Sequence, residues 1–166
     1  GPSQGPPLTH ILPQGINGAQ DVPAGYDPYP YNPTKAKQML AAAGYPNGLN
    51  LTLLYRPDST IATKMAQTLQ ADLPKIGVKV KLLTATPSDF YVKYMQVPSV
   101  AKRGVWDLSL AGWGPDWYGD AAQSFFAPLF KGAVAFPPAG SNFGFYDNPS
   151  VNSVIEQAGS QTSLSA

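Results

Sequence analysis

Apolar and polar residues alternate along two segments, Leu49–Tyr55 and Val78–Leu83, and this period of two predicts two β-strands. The segment between them predicts a helix beginning at Ser59, because its apolar residues recur every four positions. These residues are Ile61, Met65, Leu69 and Leu73. Pro74 and Gly77 mark the end of this helix. A strand, a helix and a strand in this order indicate a parallel βαβ unit with a right-handed crossover.

Further helices are predicted on both sides of this unit. Asn32 caps a helix that stops at Gly44, because a side-chain acceptor precedes its first turn and a glycine follows its last. The same Asn-Pro start at Asn148 predicts a final helix that ends at Gly159. Two more helical segments are predicted, one from Pro87 and one over the sequence AAQSFFAPLF.

A third strand is predicted where Trp106, Leu108 and Leu110 alternate with polar residues, and a short linker leads into it. Two successive βαβ units follow from this order of elements. They define the fold class as α/β, with a small, mainly parallel sheet of three or four strands that is flanked by helices.

The first 32 residues form a distinct region of the sequence. Residues 1–32 are rich in turn formers and lack helix or strand periodicity, so we interpret them as an irregular leader segment. Residues 33–166 are expected to form the α/β ligand-binding region, and the whole chain one domain. The ends GPSQGPP and SQTSLSA resemble interior sequence, which suggests a domain excised from a larger protein, although a Gly-Pro start is equally typical of a cloning scar.

Composition excludes several classes of function. A net charge of +1 with 13% charged residues provides no basic stripe, so no nucleic-acid partner is predicted. The absence of cysteine excludes disulfides, thiolate metal sites and a cysteine nucleophile. The sole histidine, His10, has no neighbouring second ligand in the sequence and is interpreted as an ordinary loop residue. No metal and no cofactor are therefore predicted, and no apolar run approaches the roughly 20 residues of a membrane span.

Candidate binding chemistry is concentrated where the third strand ends, in WDLSLAGWGPDWYGD. Ligands of open parallel sheets bind beyond the carboxyl ends of strands, which makes this segment the expected site. Asp116 supplies a carboxylate for a ligand cation, and Trp113 supplies a flat apolar wall. Trp117 and Tyr118 are expected to line the same cleft or to contact another part of the protein.

Each of these residues also has a purely structural interpretation. Asp116 can cap a turn or helix start, and Trp113 can be a core residue at the end of a strand. Trp106 is assigned to the core, and Asp120 to the cap of the following helix. Arg56, just after the first strand, suits a ligand carboxylate, but isolated surface arginines are common.

Several collinear segments resemble the extracytoplasmic solute-binding proteins of peptide and nickel ABC importers. NPTKAKQMLAAAGYPNGLNLTLLY is similar to the family's capped helix, Ala-Gly-Tyr-Pro turn and strand, and AQTLQADLPKIGVKVKL to its helix and Val-rich strand. WDLSLAGWGPDW matches its Asp-Leu-x-Leu, Gly-Trp and Asp series, and SNFGFYDNPSVNSVIEQA resembles the segment that follows. The leader THILPQGINGA is also similar to the segment before the family's Asx-Pro helix.

The resemblance implies a fold, a location and partners. It implies one lobe of a two-lobed periplasmic-binding-protein-like fold, located outside the membrane, in the periplasm or anchored to the bacterial surface as a lipoprotein. The implied partners are a peptide-like solute, the permease of an ABC transporter and a first lobe that this sequence lacks.

The resemblance also implies roles for individual residues. Gly112, Trp113 and Asp116 match the positions at which the family's aspartate accepts a peptide α-ammonium, and Phe143 aligns with a segment near the pocket. Some family members place an arginine before the Gly-Trp pair, where this sequence has Leu110 and Ala111. This departure removes the basis for a carboxylate clamp of that type.

These observations favour a binding protein that is not an enzyme. A hydrolase using Asp116 and Asp120 as a carboxylate pair is the enzymatic alternative, but the sequence offers no Ser-His-Asp set and no glycine-rich phosphate loop. An oligosaccharide-binding protein of the same architecture is a second alternative, because tryptophan and tyrosine side chains stack on sugars. A free-standing interaction domain is the third.

Overall fold

A computed structural model of the chain describes residues 8–13, 15–16, 18–19, 25–114 and 121–161. The backbone divides into two compact units. One, the sheet unit, comprises Tyr31–Gly112. The other, the helical unit, comprises the described residues within Gly1–Pro30 and Trp113–Ala166. Among the described residues, no helix is long and apolar enough to cross a membrane.

The sheet unit contains three strands and the helices that connect them. Its sheet has the order β2-β1-β3, and both strand pairs are parallel. Along the chain its elements are α1 (Pro33–Ala42), β1 (Leu49–Tyr55), α2 (Thr60–Asp72), a 3₁₀ helix (Leu73–Ile76), β2 (Val78–Thr84), α3 (Pro87–Asp89), a π-helix (Phe90–Met95), α4 (Pro98–Lys102) and β3 (Leu108–Ser109). The predicted α/β class with a small parallel sheet flanked by helices is confirmed.

Side-chain caps set the starts of the helices that the sequence predicts. The Asn32 side chain accepts a hydrogen bond from the backbone N–H of Lys35, and Ser59 accepts one from Ala62. At the end of the 3₁₀ helix Gly77 adopts a positive φ of 89°, which turns the chain into β2. The predicted bounds of α1, α2 and the first two strands are therefore correct to within one or two residues.

The core of the sheet unit is built from alternate residues of the two longer strands. Leu53, Tyr55, Val78 and Val80 are buried against Ala66 of α2. The residues that alternate with Val78 and Val80 on β2 are the exposed Lys79 and Lys81, as the sequence pattern predicts. The last three residues of β1, Leu53, Leu54 and Tyr55, are all buried, so the end of this central strand is covered on both faces.

The third strand is shorter than predicted. Only Leu108 and Ser109 pair with β1, although the alternation begins at Trp106. The Asp107 side chain accepts a hydrogen bond from the backbone N–H of Thr52 at 2.7 Å. At this position a carboxylate oxygen takes the place of the backbone carbonyl that would accept the hydrogen bond in a regular pair of strands. Trp106 is buried, as predicted.

The connection between β2 and β3 also differs from the prediction. The helix predicted from Pro87 consists of one α-helical turn followed by the π-helix, and the predicted linker contains α4. Phe90 and Met95, five residues apart, are both buried. In a π-helix the backbone hydrogen bonds join residues i and i+5, so side chains five positions apart lie near one face. In an α-helix the same two side chains would point in different directions.

The helical unit contains α5 (Ala121–Phe130), a 3₁₀ helix (Gly132–Ala135) and α6 (Pro149–Gly159). The predicted final helix is confirmed, with the Asn148 side chain accepting from the N–H groups of Ser150 and Val151. Gln123 of α5 donates to the carbonyl of Ile155 in α6 at 3.1 Å and ties the two helices together. Leu12 is buried in the same unit.

Candidate functional site

The strand order creates a topological switch point at the carboxyl edge of the sheet. The chain leaves β1 toward β2 on one side, and β3 then joins β1 on its other side. In open parallel sheets the crevice beyond the carboxyl ends of such a strand pair is where ligands bind. Here that crevice lies beyond Tyr55 of β1 and Ser109 of β3.

A cleft of about 370 Å³ occupies this position. Its walls come from four pieces of the sheet unit: the segment after β1, the first turns of α2, the π-helix and the segment after β3. The lining residues are Arg56, Ser59, Ile61, Ala62, Met65, Phe90, Tyr91, Leu110, Ala111 and Gly112. The volume falls at the lower end of the roughly 300–1,000 Å³ typical of small-molecule sites.

Among the described residues of this lining, Arg56 is the only cationic side chain, and none of them is a carboxylate. Its Nε donates to Asp58 Oδ1 at 3.2 Å and its Nη2 to Asp58 Oδ2 at 2.8 Å. These hydrogen bonds and the attraction between the charges hold the pKa of Asp58 below its ordinary value and raise that of Arg56. Arginine has five N–H donors, so this bidentate contact leaves the Nη1 side of the guanidinium available to a ligand carboxylate.

The first turn of α2 adds positive potential to the cleft. Ser59 caps the helix through the Ala62 N–H at 3.2 Å, and both residues line the cleft. A helix N-terminus carries the positive end of the helix dipole, which favours an anionic group nearby. Arg56 and the start of this 13-residue helix are therefore two sources of positive potential in one cleft.

Two aromatic residues of the π-helix contribute to the cleft from the other side. Phe90 is fully buried and its ring meets the Tyr91 ring edge-on, with 4.9 Å between the ring centroids. Tyr91 is partly exposed, and its electrostatic interaction with Arg56 contributes to raising the pKa of Arg56. The cleft thus has an aromatic base beside Arg56.

Gly112 is the predicted site residue that lines this cleft, together with the two residues before it. Adding a Cβ to Gly112 would meet no atom within 4 Å, so neighbouring atoms do not require a glycine here. Leu110 packs against the sheet core. Contact between Gly112 and a ligand stays a prediction.

Trp113 and Phe143, two further predicted site residues, belong to the helical unit. Trp113 is 39% exposed, and its Nε1 donates to the Ser124 carbonyl of α5 at 2.7 Å. Phe143 is partly buried and lies in a turn that the buried Asn142 holds through two hydrogen bonds with the Tyr146 backbone. Whether either ring touches a ligand stays a prediction.

The remaining predicted site residues are Asp116, Trp117 and Tyr118, and they lie outside the residues that the structure describes. Asp120, predicted to cap α5, lies outside them as well. Their proposed roles rest on the sequence.

Sequence reasoning missed most of the cleft. It considered Arg56 both as a partner for a ligand carboxylate and as an ordinary surface arginine, without choosing it as a site residue, and it interpreted Ile61 and Met65 as the face of an amphipathic helix packed on the sheet. Both residues are instead about half exposed, at 52% and 49%. One feature of the sequence could have indicated this cleft. An arginine lies three residues before the serine that caps a helix, and the first large apolar residues of that helix are four positions apart.

A second cleft, of about 470 Å³, lies in the helical unit between α5 and α6. The described residues of its lining, which include Leu12, Phe126 and Val154, carry no charged side chain. Within the described ranges, no group of three or more histidine, cysteine, aspartate or glutamate side chains is placed to hold a metal ion. The cleft at Arg56 therefore carries the clearest binding chemistry in the described part of the chain.

Comparison with known proteins supports a solute-binding role. A family model described as bacterial extracellular solute-binding proteins, family 5 Middle, matches residues 2–136. Glutathione-binding protein GsiB of Pectobacterium atrosepticum is 36% identical over 157 residues, which cover 95% of this chain and 28% of that protein.

Solved structures share the fold. The ABC transporter-associated periplasmic binding protein DppA from Helicobacter pylori, in complex with peptide STSA, matches with a TM-score of 0.77 at 26% identity, over 95% of this chain and 28% of that one. Clavulanic acid biosynthesis oligopeptide binding protein 2 matches with a TM-score of 0.78 at 22% identity over the same shares, 95% and 28%, and shows the fold alone. The chain spans 28% of the length of these relatives. Because the family model matches most of the sequence, the chain belongs to the bacterial extracellular solute-binding proteins of family 5.

Proposed function

We propose that this chain supplies one wall of a site that binds a small peptide or a related carboxylate-bearing solute outside the membrane, for delivery to an ABC transporter permease. The observation that carries this proposal is the cleft at the switch point, in which Arg56 is the only cation among the described lining residues. The role is binding and not catalysis, in agreement with the relatives, which are named as binding proteins.

Arg56 is proposed to bind the carboxylate of the solute. The guanidinium is already oriented by Asp58, so less side-chain entropy is lost when a ligand binds its free side. A hydrogen bond between a guanidinium and a carboxylate is charge-assisted and therefore stronger than one between neutral groups. Arg56 would thus provide the carboxylate contact for which the sequence before the Gly-Trp pair offers no arginine.

Asp116 is proposed to bind the other end of a peptide-like solute, its α-ammonium group. The support is the resemblance of the Gly112, Trp113 and Asp116 series to the peptide-binding members of the family. Relatives named for glutathione and solved with a peptide bind molecules that carry both a carboxylate and an ammonium group. Such a zwitterion requires one cationic and one anionic contact from the protein, and Arg56 and Asp116 are the residues proposed for these two contacts.

The place of this chain in a larger protein is proposed from the family resemblance. Residues 33–166 would form one lobe of a two-lobed protein, with residues 1–32 leading into it and a further lobe closing over the solute. The location would be extracytoplasmic, either free in the periplasm or held by a lipoprotein anchor.

Calorimetric titration of the protein in its full natural length tests the proposal. Short peptides and glutathione should bind, an oligosaccharide pool should not, and Arg56→Met should weaken a peptide acid at least tenfold. The same peptide as a C-terminal amide should be nearly unaffected by that substitution. Arg103→Met is the matched control, because Arg103 is the chain's other arginine, is exposed and lies outside the cleft lining.

The amino-terminal contact has a separate test. Asp116→Ala should weaken a peptide with a free amino group and leave the N-acetylated peptide nearly unchanged. Binding of oligosaccharides alone would contradict the proposed function. Equal losses in Arg56→Met and Arg103→Met would contradict the role of Arg56.

A further inference from the structure

We propose that the apolar part of the Arg56 cleft is a specificity pocket for the side chain next to the solute's carboxylate, and that it selects leucine, methionine or phenylalanine over glycine or a charged residue. This inference rests on the proposed function and narrows its substrate class to carboxylates with an adjacent apolar group.

The lining beside Arg56 is mostly apolar. Ile61 and Met65 lie one helical turn apart on α2, and Ala62 and Phe90 also line the cleft. Ile61 and Met65 leave about half of their surface exposed, at 52% and 49%. Large apolar side chains grouped in a concave surface, beside a single cation, are typical of a site that covers an apolar ligand group.

The size of the cleft limits how much of a solute it holds. Its volume of about 370 Å³ is near the lower end for small-molecule sites. Arg56 lies in the lining together with the apolar residues, so a carboxylate bound there would place the adjacent side chain among them. The rest of a peptide would extend out of the cleft, which makes the terminal residue the one that is selected.

Charged ligand side chains are disfavoured in this pocket. The described residues of the lining include no carboxylate to pair with a lysine of the ligand, and Arg56 is engaged by Asp58 and by the ligand's own carboxylate. A charge that loses water without gaining a partner is costly, so charged residues are rejected. Met65 is unbranched and flexible, so it can adapt to aliphatic and aromatic ligand side chains alike.

Tripeptides that differ only in the last residue test this inference, with the full-length protein and calorimetry. Ala-Ala-Leu, Ala-Ala-Met and Ala-Ala-Phe should each bind about 10- to 100-fold more tightly than Ala-Ala-Gly, the range expected for burying such a side chain. Ala-Ala-Lys and Ala-Ala-Glu should bind no better than Ala-Ala-Gly.

A substitution that changes the ligand specificity provides a stricter test of the pocket. Met65→Glu places a carboxylate in the pocket and should reverse the ranking, so that Ala-Ala-Lys binds at least tenfold more tightly than Ala-Ala-Leu. Met39→Glu is the matched control, because Met39 is 60% exposed on α1 and lies outside the cleft lining. Met65 is half exposed, and circular dichroism checks that each variant is folded.

The outcomes separate this inference from the proposed function. If every tripeptide acid binds equally well and Arg56→Met still weakens them all, the carboxylate site stands and the specificity pocket is refuted. A reversed ranking in Met39→Glu would also refute it. If no tripeptide acid binds at all, the proposed function itself fails.

Discussion

Replacing Asn142 should destabilise the turn that carries Phe143 more than any surface asparagine would. Asn142 is 1% exposed, and its side chain fixes both backbone groups of Tyr146. Its Nδ2 donates to the Tyr146 carbonyl at 2.7 Å, and its Oδ1 accepts the Tyr146 N–H at 3.0 Å. A third contact, from Nδ2 to the Gly132 carbonyl, is long at 3.5 Å and adds little.

The expected cost of Asn142→Ala is about 2–4 kcal/mol. Two good hydrogen bonds contribute about 1 kcal/mol each, and the polar groups of Tyr146 that lose their partner add a desolvation cost. Urea unfolding followed by circular dichroism measures this difference, and hydrogen exchange should show lost protection of the Tyr146 amide. Asn50→Ala is the control, because Asn50 is exposed on β1 and its side chain makes no hydrogen bond within the described ranges.

Asn142→Asp provides a second test, in which the stability of the variant should depend on pH. The new carboxylate can still accept the Tyr146 N–H, but its other oxygen faces the Tyr146 carbonyl instead of donating to it. Burial should raise the pKa of this carboxyl in the folded state, so the variant should gain stability relative to Asn142→Ala as the pH falls through that value. If Asn142→Ala unfolds within about 0.5 kcal/mol of the Asn50→Ala control, these hydrogen bonds do not hold the turn.

Three other predictions address the strand entry, the ion pair and the helix start. Gly48→Ala should cost at least about 2 kcal/mol more than Gly44→Ala in urea unfolding, since both glycines have positive φ but only at Gly48 would a Cβ strike the facing backbone. Equal costs would show that no clash occurs. An NMR titration should give Asp58 a pKa below its ordinary value, and Arg56→Met should raise it; an unchanged value would disprove the ion pair in solution. Ser59→Ala should lower stability by about 1 kcal/mol and be partly rescued by Ser59→Asp, whereas no loss would exclude the cap as a stabilising contact.

The local elements were predictable because their signals lie within a few consecutive residues. The alternation at Leu49–Tyr55 marks a strand, and the caps at Asn32, Ser59 and Asn148 satisfy N–H groups only two or three residues away. The α/β class follows from the order of these elements. The family could be identified from sequence because its motifs are collinear over nearly the whole chain.

Predictions that depended on distant residues were less accurate. At the start of the third strand the Asp107 carboxylate accepts a hydrogen bond from the backbone N–H of Thr52, which is 55 positions away in sequence. The π-helix has both Phe90 and Met95 buried in the surrounding core. Neither contact leaves a local signature in the sequence.

The sequence by itself determined the strands, the capped helices and the family, and it predicted the segment after the third strand as a place for binding. Only the tertiary structure decided that Arg56, the start of α2 and Gly112 line one cleft. The physical reason is the strand order: β3 pairs with β1 on the side opposite to β2, and the carboxyl ends of parallel strands meet at one edge. Residues 56 and 112, more than fifty positions apart in sequence, come to line one cleft because their strands pair.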